Sequence, residues 1–461
     1  MRRTTLAAAG AFVLGVLTSG QTATAPPAVV NSSVRPIGWT DVAPLRARLE
    51  QHGLTAASFD AHVEQIRRAN ARRVRDGDLD HLVFYLLQST RFTTLAPVEP
   101  ALSAKVFVES GIVPADVRSR VAALIAALDV SPRDPRLVYF RDLVRATFPN
   151  RAERKTGLLN EYKRAMRFLH EKEFVAQRSP RPADAVAELY RTRGLSTDTA
   201  VEAGYLVYLG LAVAKSLEPH RRIRRVLVVG PGLDLAPRTS FREAGPPQSY
   251  QPWAVIDALL SLELSNRADL ELVAADINPR VVQHIRRSAT QAPRLVLASE
   301  IQETDTVALT EEYREYFARL GSTIGEVRVE SGTSALQKTV QVHPQIARSL
   351  VAVQMDVAAE RLIAAPFDLV IATNILPYLG EVELMLAMSN IAALLAPGGL
   401  FLHNEPRPTL GEMTTLVGLP FEQSRQAIIA RVRGARAPLV DTVFLHRRME
   451  KKTGEGEKGE R

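Results

Sequence analysis

Short apolar runs recur through the second half of the chain, and each ends on glycine or a polar residue. Val226-Leu227-Val228-Val229 runs into Gly230-Pro231-Gly232-Leu233-Asp234; Leu270 to Ala275 ends on Asp276; Val351 to Met355 ends on Asp356; Phe367 to Thr373 runs into Asn374. Leu394-Leu395-Ala396-Pro397-Gly398-Gly399 then turns into Leu400 to His403. Continuous runs of this length predict strands buried on both faces, as in a parallel sheet. Polar groups at their carboxyl ends stand where open α/β sheets bind ligands.

The first half follows another period. From about Thr40 to Leu217 the chain reads mostly as helices: Val117 to Leu128, Leu158 to Leu169 and Ala200 to Leu217 repeat apolar residues near the helical spacing, and Pro114, Pro132, Pro135, Pro180 and Pro182 mark breaks. The apolar run His81 to Leu87 reads as core. Between Asp276 and Asp356 lies a long segment with a capped helix, Thr310 to Leu320, and a hairpin around Gly325 in which Val327 and Val329 alternate with charges. After His403 the pattern predicts a helix near Phe421 to Gln426, then strands at Ala427 to Val432 and Asp441 to Arg447. The chain divides on this reading into a leader (1–25), a linker (26–39), a helical domain (40–217), a sheet domain (222–449) with an insertion (286–350), and a charged disordered tail (450–461).

Glycines at 230 and 232 let the backbone turn sharply and approach a ligand closely, because no Cβ intervenes. Asp276 stands where a carboxylate accepts hydrogen bonds from both hydroxyls of a ribose. Ile277-Asn278-Pro279 then starts a helix with an Asn cap and Pro in the first turn. A dinucleotide fingerprint does not fit: its third glycine would fall at Leu235, and its acidic residue belongs ~20 residues downstream, well before Asp276.

In this order the motifs resemble the class I S-adenosylmethionine-dependent methyltransferases over residues 222–449. The resemblance implies an α/β fold with a Rossmann-like methyltransferase sheet, mostly parallel with an antiparallel closing strand, and S-adenosyl-L-methionine as cofactor. It places Gly230, Gly232, Asp234, Asp276, Ile277, Asp356, Val357 and Asn374 around that cofactor, with Asp356 beside the adenine and Asn374 facing the transferring methyl. The family's first strand carries an acidic residue two places before the first glycine, where this chain has Val228, so one contact to the amino-acid part of the cofactor is lost. Asp234 either replaces that carboxylate or caps a turn. The Asn/Asp-Pro-Pro-Tyr motif of amino-group methylation is replaced by Thr373-Asn374-Ile375-Leu376-Pro377-Tyr378, which argues against a nucleobase amine as acceptor.

Tyr378, His403 and Glu405 lie near the strand ends and are the candidate catalytic residues, each able to take a proton from an acceptor that must lose one. The insertion, with Tyr316-Phe317 and Glu326-Val327-Arg328-Val329, is similar to that of the glutamate methyltransferases of chemotaxis receptors and lies beside the strand ends. The implied acceptor is an unidentified small molecule or a protein carboxylate. Two alternatives stand beside this reading: a non-catalytic nucleoside-binding protein of the same fold, and a basic module binding nucleic acid or the cell envelope.

Composition narrows the alternatives. With 46% hydrophobic residues in 461, the chain buries a sizeable core. The absence of cysteine excludes disulfides and thiolate metal sites, and the nine histidines show no metal-ligand spacing. A net charge of +8 suits acidic partners. However, Arg67-Arg68, Arg72-Arg73-Arg75 and Arg221-Arg222 come without interleaved aromatics and read as solvated faces, so nucleic acid is not expected as a partner.

Met1-Arg2-Arg3, the apolar stretch Leu6 to Leu17 and Ala23-Thr24-Ala25 have the three-part layout of a secretory signal, and Arg2-Arg3-Thr4-Thr5-Leu6 weakly echoes a twin-arginine signal. Pro26 at the first position after the cut disfavours cleavage, which leaves an uncleaved membrane anchor as the alternative. Expected outcome: residues 1–40 fused to a reporter active only outside the cytosol give signal. A silent fusion, with translation starting downstream, would return the protein to the cytoplasm.

Overall fold

The apolar runs form the middle of an eight-stranded sheet. The computed structural model describes residues 33–130, 133–235, 243, 245–329, 336–435 and 438–450, so the leader and the tail beyond Glu450 lie outside the described residues. Its strands are β1 (Ser33–Pro36), β2 (Arg225–Val229), β3 (Glu271–Asp276), β4 (Arg294–Ala298), β5 (Val307–Leu309), β6 (Gly325–Val329), β7 (Gln337–Val342), β8 (Leu350–Gln354), β9 (Glu360–Ile363), β10 (Phe367–Ala372), β11 (Leu395–His403), β12 (Phe421–Val432) and β13 (Leu439–Arg447). The helices before β2 are α1 (Arg46–Gln51), α2 (Ala56–Gln88), α3 (Pro100–Ser110), α4 (Ala115–Asp129), α5 (Pro135–Thr147), α6 (Arg154–His170), α7 (Pro182–Thr192) and α8 (Val201–Leu217). Those after it are α9 (Gln251–Ser261), α10 (Pro279–Thr290), α11 (Glu311–Arg319), α12 (Pro344–Ala347), α13 (Glu381–Leu394) and α14 (Pro408–Leu416).

The sheet order is β5-β12-β13-β11-β10-β2-β3-β8. From β8 to β11 every neighbouring pair is parallel; β13 then closes the sheet antiparallel to β11, and β12 pairs antiparallel with β13. This is the Rossmann-like methyltransferase sheet, with the antiparallel closing strand set between the fifth parallel strand and the sixth.

Strand alternation divides the interior in two. Val226, Val228, Leu272, Ala274, Leu369 and Ile371 face α8 and α9, while Leu227, Val229, Val273, Ala275, Val370 and Ala372 face α13. The helical segment shares these interiors: Leu79, Leu82 and Leu86 of α2 join the α8/α9 side, and Phe59, Val63 and Ile66 join the other. At 33 residues, about 50 Å at 1.5 Å per residue, α2 therefore passes from one face of the sheet to the other.

Three segments depart from the sequence pattern. Phe421 to Gln426, expected as a helix, is strand, because β13 offers it a partner: Gln423 registers with Leu445 and Gln426 with Thr442. Pairing decides the conformation of a half-exposed segment more than its local pattern does. The helix lies upstream instead, opened by Pro408. Ser33–Pro36, expected as linker, pairs antiparallel with β9. The insertion builds an antiparallel sheet β4-β7-β6 and also sends β5 to pair with β12. Its Leu295, Tyr313, Phe317 and Val340 pack on the α8/α9 side.

Between α7 and α8 the chain crosses α2 as a strap, Leu195–Thr199. Leu195 N–H donates to the Arg73 carbonyl at 2.8 Å. A Cβ on Gly77 would lie 1.9 Å from the Leu195 oxygen, and one on Gly194 would lie 2.3 Å from Gly77 N. Glycine in a helix interior costs ~1 kcal/mol relative to alanine, so Gly77 is explained by the crossing rather than by the helix. Gly77→Ala is predicted to lower stability by ~1–3 kcal/mol, since overpacking against a carbonyl outweighs the propensity gain. Urea denaturation measures it; a variant as stable as the parent would show that the strap yields freely.

Candidate functional site

The carboxyl ends of β2, β3, β8 and β10 open into one cleft, where open α/β sheets bind ligands. Gly230 and Gly232 turn the chain after β2 with φ of 66° and 75°. Side chains at these positions would strike the protein itself: a Cβ on Gly230 would be 2.3 Å from Ile375 Cγ2, and one on Gly232 would be 2.2 Å from the Thr197 carbonyl.

Asp276 ends β3 inside the cleft. Its Oδ1 accepts from Asn278 N–H at 2.8 Å and its Oδ2 from Gly232 N–H at 3.4 Å. Burial pushes its pKa up to about 7 against these two donors, and the nearby Asp78 carboxylate adds to the rise. Asn278 caps α10 by accepting from Arg280 N–H, with Pro279 in the first turn, as its sequence predicts. Its amide also donates to Asp78, which accepts from Tyr139 and Arg280 as well, each at 3.0 Å.

Asp356, at the end of β8, accepts from Ala358 N–H and from the Asn70 amide of α2, both at 3.0 Å; burial raises its pKa. Asn374 follows β10 with φ of 60°, a left-handed conformation that asparagine tolerates better than most side chains. It is held by Asn404, which accepts from Asn374 N–H at 2.9 Å and donates to its side-chain oxygen at 2.7 Å. Ile277 and Val357 also line the cleft, so seven of the eight residues assigned to the cofactor by resemblance come together there. The eighth, Asp234, is fully buried within electrostatic reach of Arg136, its N–H donating to the Gln248 carbonyl, and it does not line the cleft.

The three catalytic candidates separate. Tyr378 lines the cleft, stacked edge-on against Tyr190, and burial raises its pKa, so at neutral pH it is a hydrogen-bond donor rather than a base. His403 is buried outside the lining, with both ring nitrogens engaged. Glu405 N–H donates to its Nδ1 at 3.1 Å, its Nε2 therefore carries hydrogen and donates to His446 Nε2 at 2.9 Å, and His446 Nδ1 donates to the Leu419 carbonyl. Burial, then the neighbouring His446, holds His403 well below the usual imidazole range, in keeping with this neutral chain. Glu405 is buried against the Arg407 guanidinium, 3.2 Å away.

The sequence reading missed the wall facing the strand ends: Asn70 and Val74 of α2 and the strap residues Ser196, Thr197, Asp198 and Thr199. A signal existed for α2. Asp76-Gly77-Asp78-Leu79-Asp80-His81 sets a glycine and four ionisable groups in the middle of a helix, directly before its apolar run, a combination that costs helix stability unless the groups have partners. No residue of the insertion is among those lining the cleft.

No protein-family profile matches the sequence, and no curated protein matches it. Among solved structures, the N-methyltransferase NodS from Bradyrhizobium japonicum WM9 aligns at 14% identity over 54% of this chain and 97% of its own, with a TM-score of 0.28. The magnesium protoporphyrin IX methyltransferase ChlM from Synechocystis PCC 6803 with bound SAM aligns at 9% identity over 54% of this chain and 80% of its own, TM-score 0.28. The glycopeptide N-methyltransferase MtfA complexed with S-adenosyl-L-homocysteine gives 11%, 52%, 86% and 0.28. The methyltransferase fold is assigned here from strand order and strand-end residues, and these likenesses carry none of that assignment.

A carboxyl whose pKa rises on folding binds a proton in the native state that the unfolded chain has already released. Between the ordinary 3.8 and about 7, Asp276 therefore makes the protein less stable as pH rises, by on the order of 4 kcal/mol in full. Asp276→Asn is predicted to remove this component of the decline and to be at least as stable as the parent at pH 8. Thermal unfolding from pH 4 to 8 checks it; a variant with the parent's full decline would refute the assignment.

Proposed function

We propose that the protein transfers methyl groups from S-adenosyl-L-methionine to an acceptor, either a small molecule or a protein carboxylate. The observation that carries the reading is the row of groups along one cleft: a glycine turn, a buried carboxylate, a second carboxylate and an asparagine, at the ends of β2, β3, β8 and β10. The cleft's chemistry fits the cofactor. Among the described residues Asp276 accepts from two backbone donors, and its two oxygens keep acceptor capacity for a pair of ribose hydroxyls. Asp356, steadied by Asn70, presents an acceptor suited to an exocyclic amine.

When bound, the cofactor supplies an electrophilic methyl on a sulfonium. The chain's residues position and shield. Asn374 and Tyr378 border the end of the cleft where β10 stops, and Tyr378 offers a hydrogen-bond donor there. The α2 helix and the strap form the opposite wall and keep water from the reacting centre. Orientation of this kind suffices when the acceptor is already nucleophilic, so no base is required. Export through the amino-terminal segment belongs to the same proposal. Among the described residues no helix is long and apolar enough to cross a membrane.

A second reading, nucleoside binding without turnover, is favoured by Val228, which is buried in the α8/α9 interior where the family has an acidic residue. Calorimetry with S-adenosylmethionine and S-adenosylhomocysteine tests the common part, and transfer of a labelled methyl separates the two. We expect both ligands to bind. Asp276→Ala should lose binding, since each bond from a hydroxyl to a charged acceptor contributes about 1.5–3 kcal/mol; Asp356→Ala should weaken it less. A folded parent protein that binds neither ligand would overturn the proposal.

A further inference from the structure

We propose that the group methylated in this cleft is a carboxylate, held by a hydrogen bond from the side-chain nitrogen of Asn374 and released as a methyl ester. The inference deepens the transferase reading above and rests on it.

The orientation of the Asn374 amide follows from its neighbours. A backbone N–H can only donate, so the Asn404 atom 2.9 Å from Asn374 N is the Asn404 carbonyl oxygen. The other end of that amide is then its nitrogen, which donates to the Asp441 carboxylate at 3.1 Å. Its second hydrogen goes to the Asn374 side chain at 2.7 Å, and the atom that receives it must be Oδ1. Asn404 does not line the cleft, so Oδ1 is turned to a neighbour outside the lining. Asn374 Nδ2 is what remains for a ligand, and among the described residues it has no hydrogen-bond partner. The end of β10 thus offers the cleft N–H donors. A carboxylate oxygen accepts them; the hydrogens of an amine do not.

The surroundings favour an anion. Behind Tyr378, the half-buried Arg73 guanidinium donates to the carbonyls of Arg193, Tyr190 and Tyr378 at 3.0, 3.2 and 2.9 Å, and among the described residues it makes no salt bridge. Burial leaves such a charge poorly screened. Of the charges acting on the Tyr378 hydroxyl, that of Arg193 comes before that of Asp198, whose carboxylate lies 3.3 Å from His81 Nδ1.

The reaction also balances without a base. A lone pair of the carboxylate oxygen forms the new C–O bond, the sulfonium C–S bond breaks with its pair left on sulfur, and the products are an ester and S-adenosylhomocysteine. No proton has to leave. An alkylammonium or a hydroxyl must lose one, whereas Tyr378 is protonated, His403 is engaged with His446 and Glu405 is paired with Arg407.

The test uses the product's chemistry, because a methyl ester releases methanol in mild alkali and an N-methyl group or a methyl ether does not. The purified full chain and S-adenosylmethionine labelled in the methyl are added to an extract of cells lacking the protein. The gain in label over extract alone is measured separately in small molecules and in proteins. We expect that label to leave as volatile methanol on alkaline treatment, and the fraction holding it distinguishes a free acid from a protein carboxylate. Alkali-stable label would overturn the proposal and leave the transferase reading in place; no label would overturn both. Two variants tie the result to the amide, with thermal unfolding recorded for each. Asn374→Asp keeps the acceptor toward Asn404 and replaces the donor by a charged oxygen. The exchange Asn404→Asp with Asp441→Asn conserves charge and removes the donor facing Asn374, so the Asn374 amide turns over while the cleft lining is untouched. Each should lower ester formation about tenfold or more, as loss of a hydrogen bond to a charged group implies, with S-adenosylhomocysteine affinity unchanged. Undiminished ester formation in either folded variant would overturn the role of the Asn374 nitrogen.

Discussion

Gly77 and Gly194 meet with no side chain between them, and that contact lets two pieces of backbone cross above the strand ends. A methyl group on either would push the strap off α2. With the crossing in place, α2 can lie along the open edge of the sheet, carry Asn70 to Asp356 and Asp78 to Asn278, and still bury apolar residues on both sides of the sheet. The strap in turn sets Thr197 over Gly232. The geometry of the cleft thus descends from a backbone clearance rather than from the motifs that line it.

The cleft is costly to fold. Asp276 and Asp356 are buried, and burial raises both pKa values because the backbone and amide donors that reach them do not make up for lost hydration. Asp78, equally buried, is treated differently: a tyrosine, an amide and a guanidinium all converge on it. The contrast separates a carboxylate that supports the structure from carboxylates left with capacity to spare.

The parallel strands and their terminal polar groups were legible in the sequence because strands buried on both faces are continuous apolar runs, and because the chain must turn immediately after them. The Asn278-Pro279 helix start was legible from local chemistry alone. The opposite wall was not. The period of α2 shows that it is a helix, but nothing local says that its two halves serve opposite faces of a sheet. Ser196 to Thr199 read as an ordinary polar connection, since what makes them a wall is a distant glycine turn. Phe421 to Gln426 misled because its partner strand lies some twenty residues further on, beyond the reach of local pattern. His403 showed itself as a strand histidine, but the pairing that occupies it depends on His446, which only the antiparallel closing strand brings near.

The insertion has a mechanical role that its place in the sequence conceals. It leaves the chain after β3 and returns to it at β8, both at one margin of the sheet, yet its β5 is the outermost strand at the other margin. Seven strand spacings separate these margins, about 34 Å at ~4.8 Å each. The segment therefore works as a girth strap around the α8/α9 side, coupling the two rims of the sheet so that neither can fray without straining the other. It also pairs the end of β12, Ala430 to Val432, with Val307 to Leu309, and so takes the hydrogen-bonding groups of that end out of the exposed edge. A stretch that looks removable by its numbering is, in the folded molecule, a tie between the sheet's two margins.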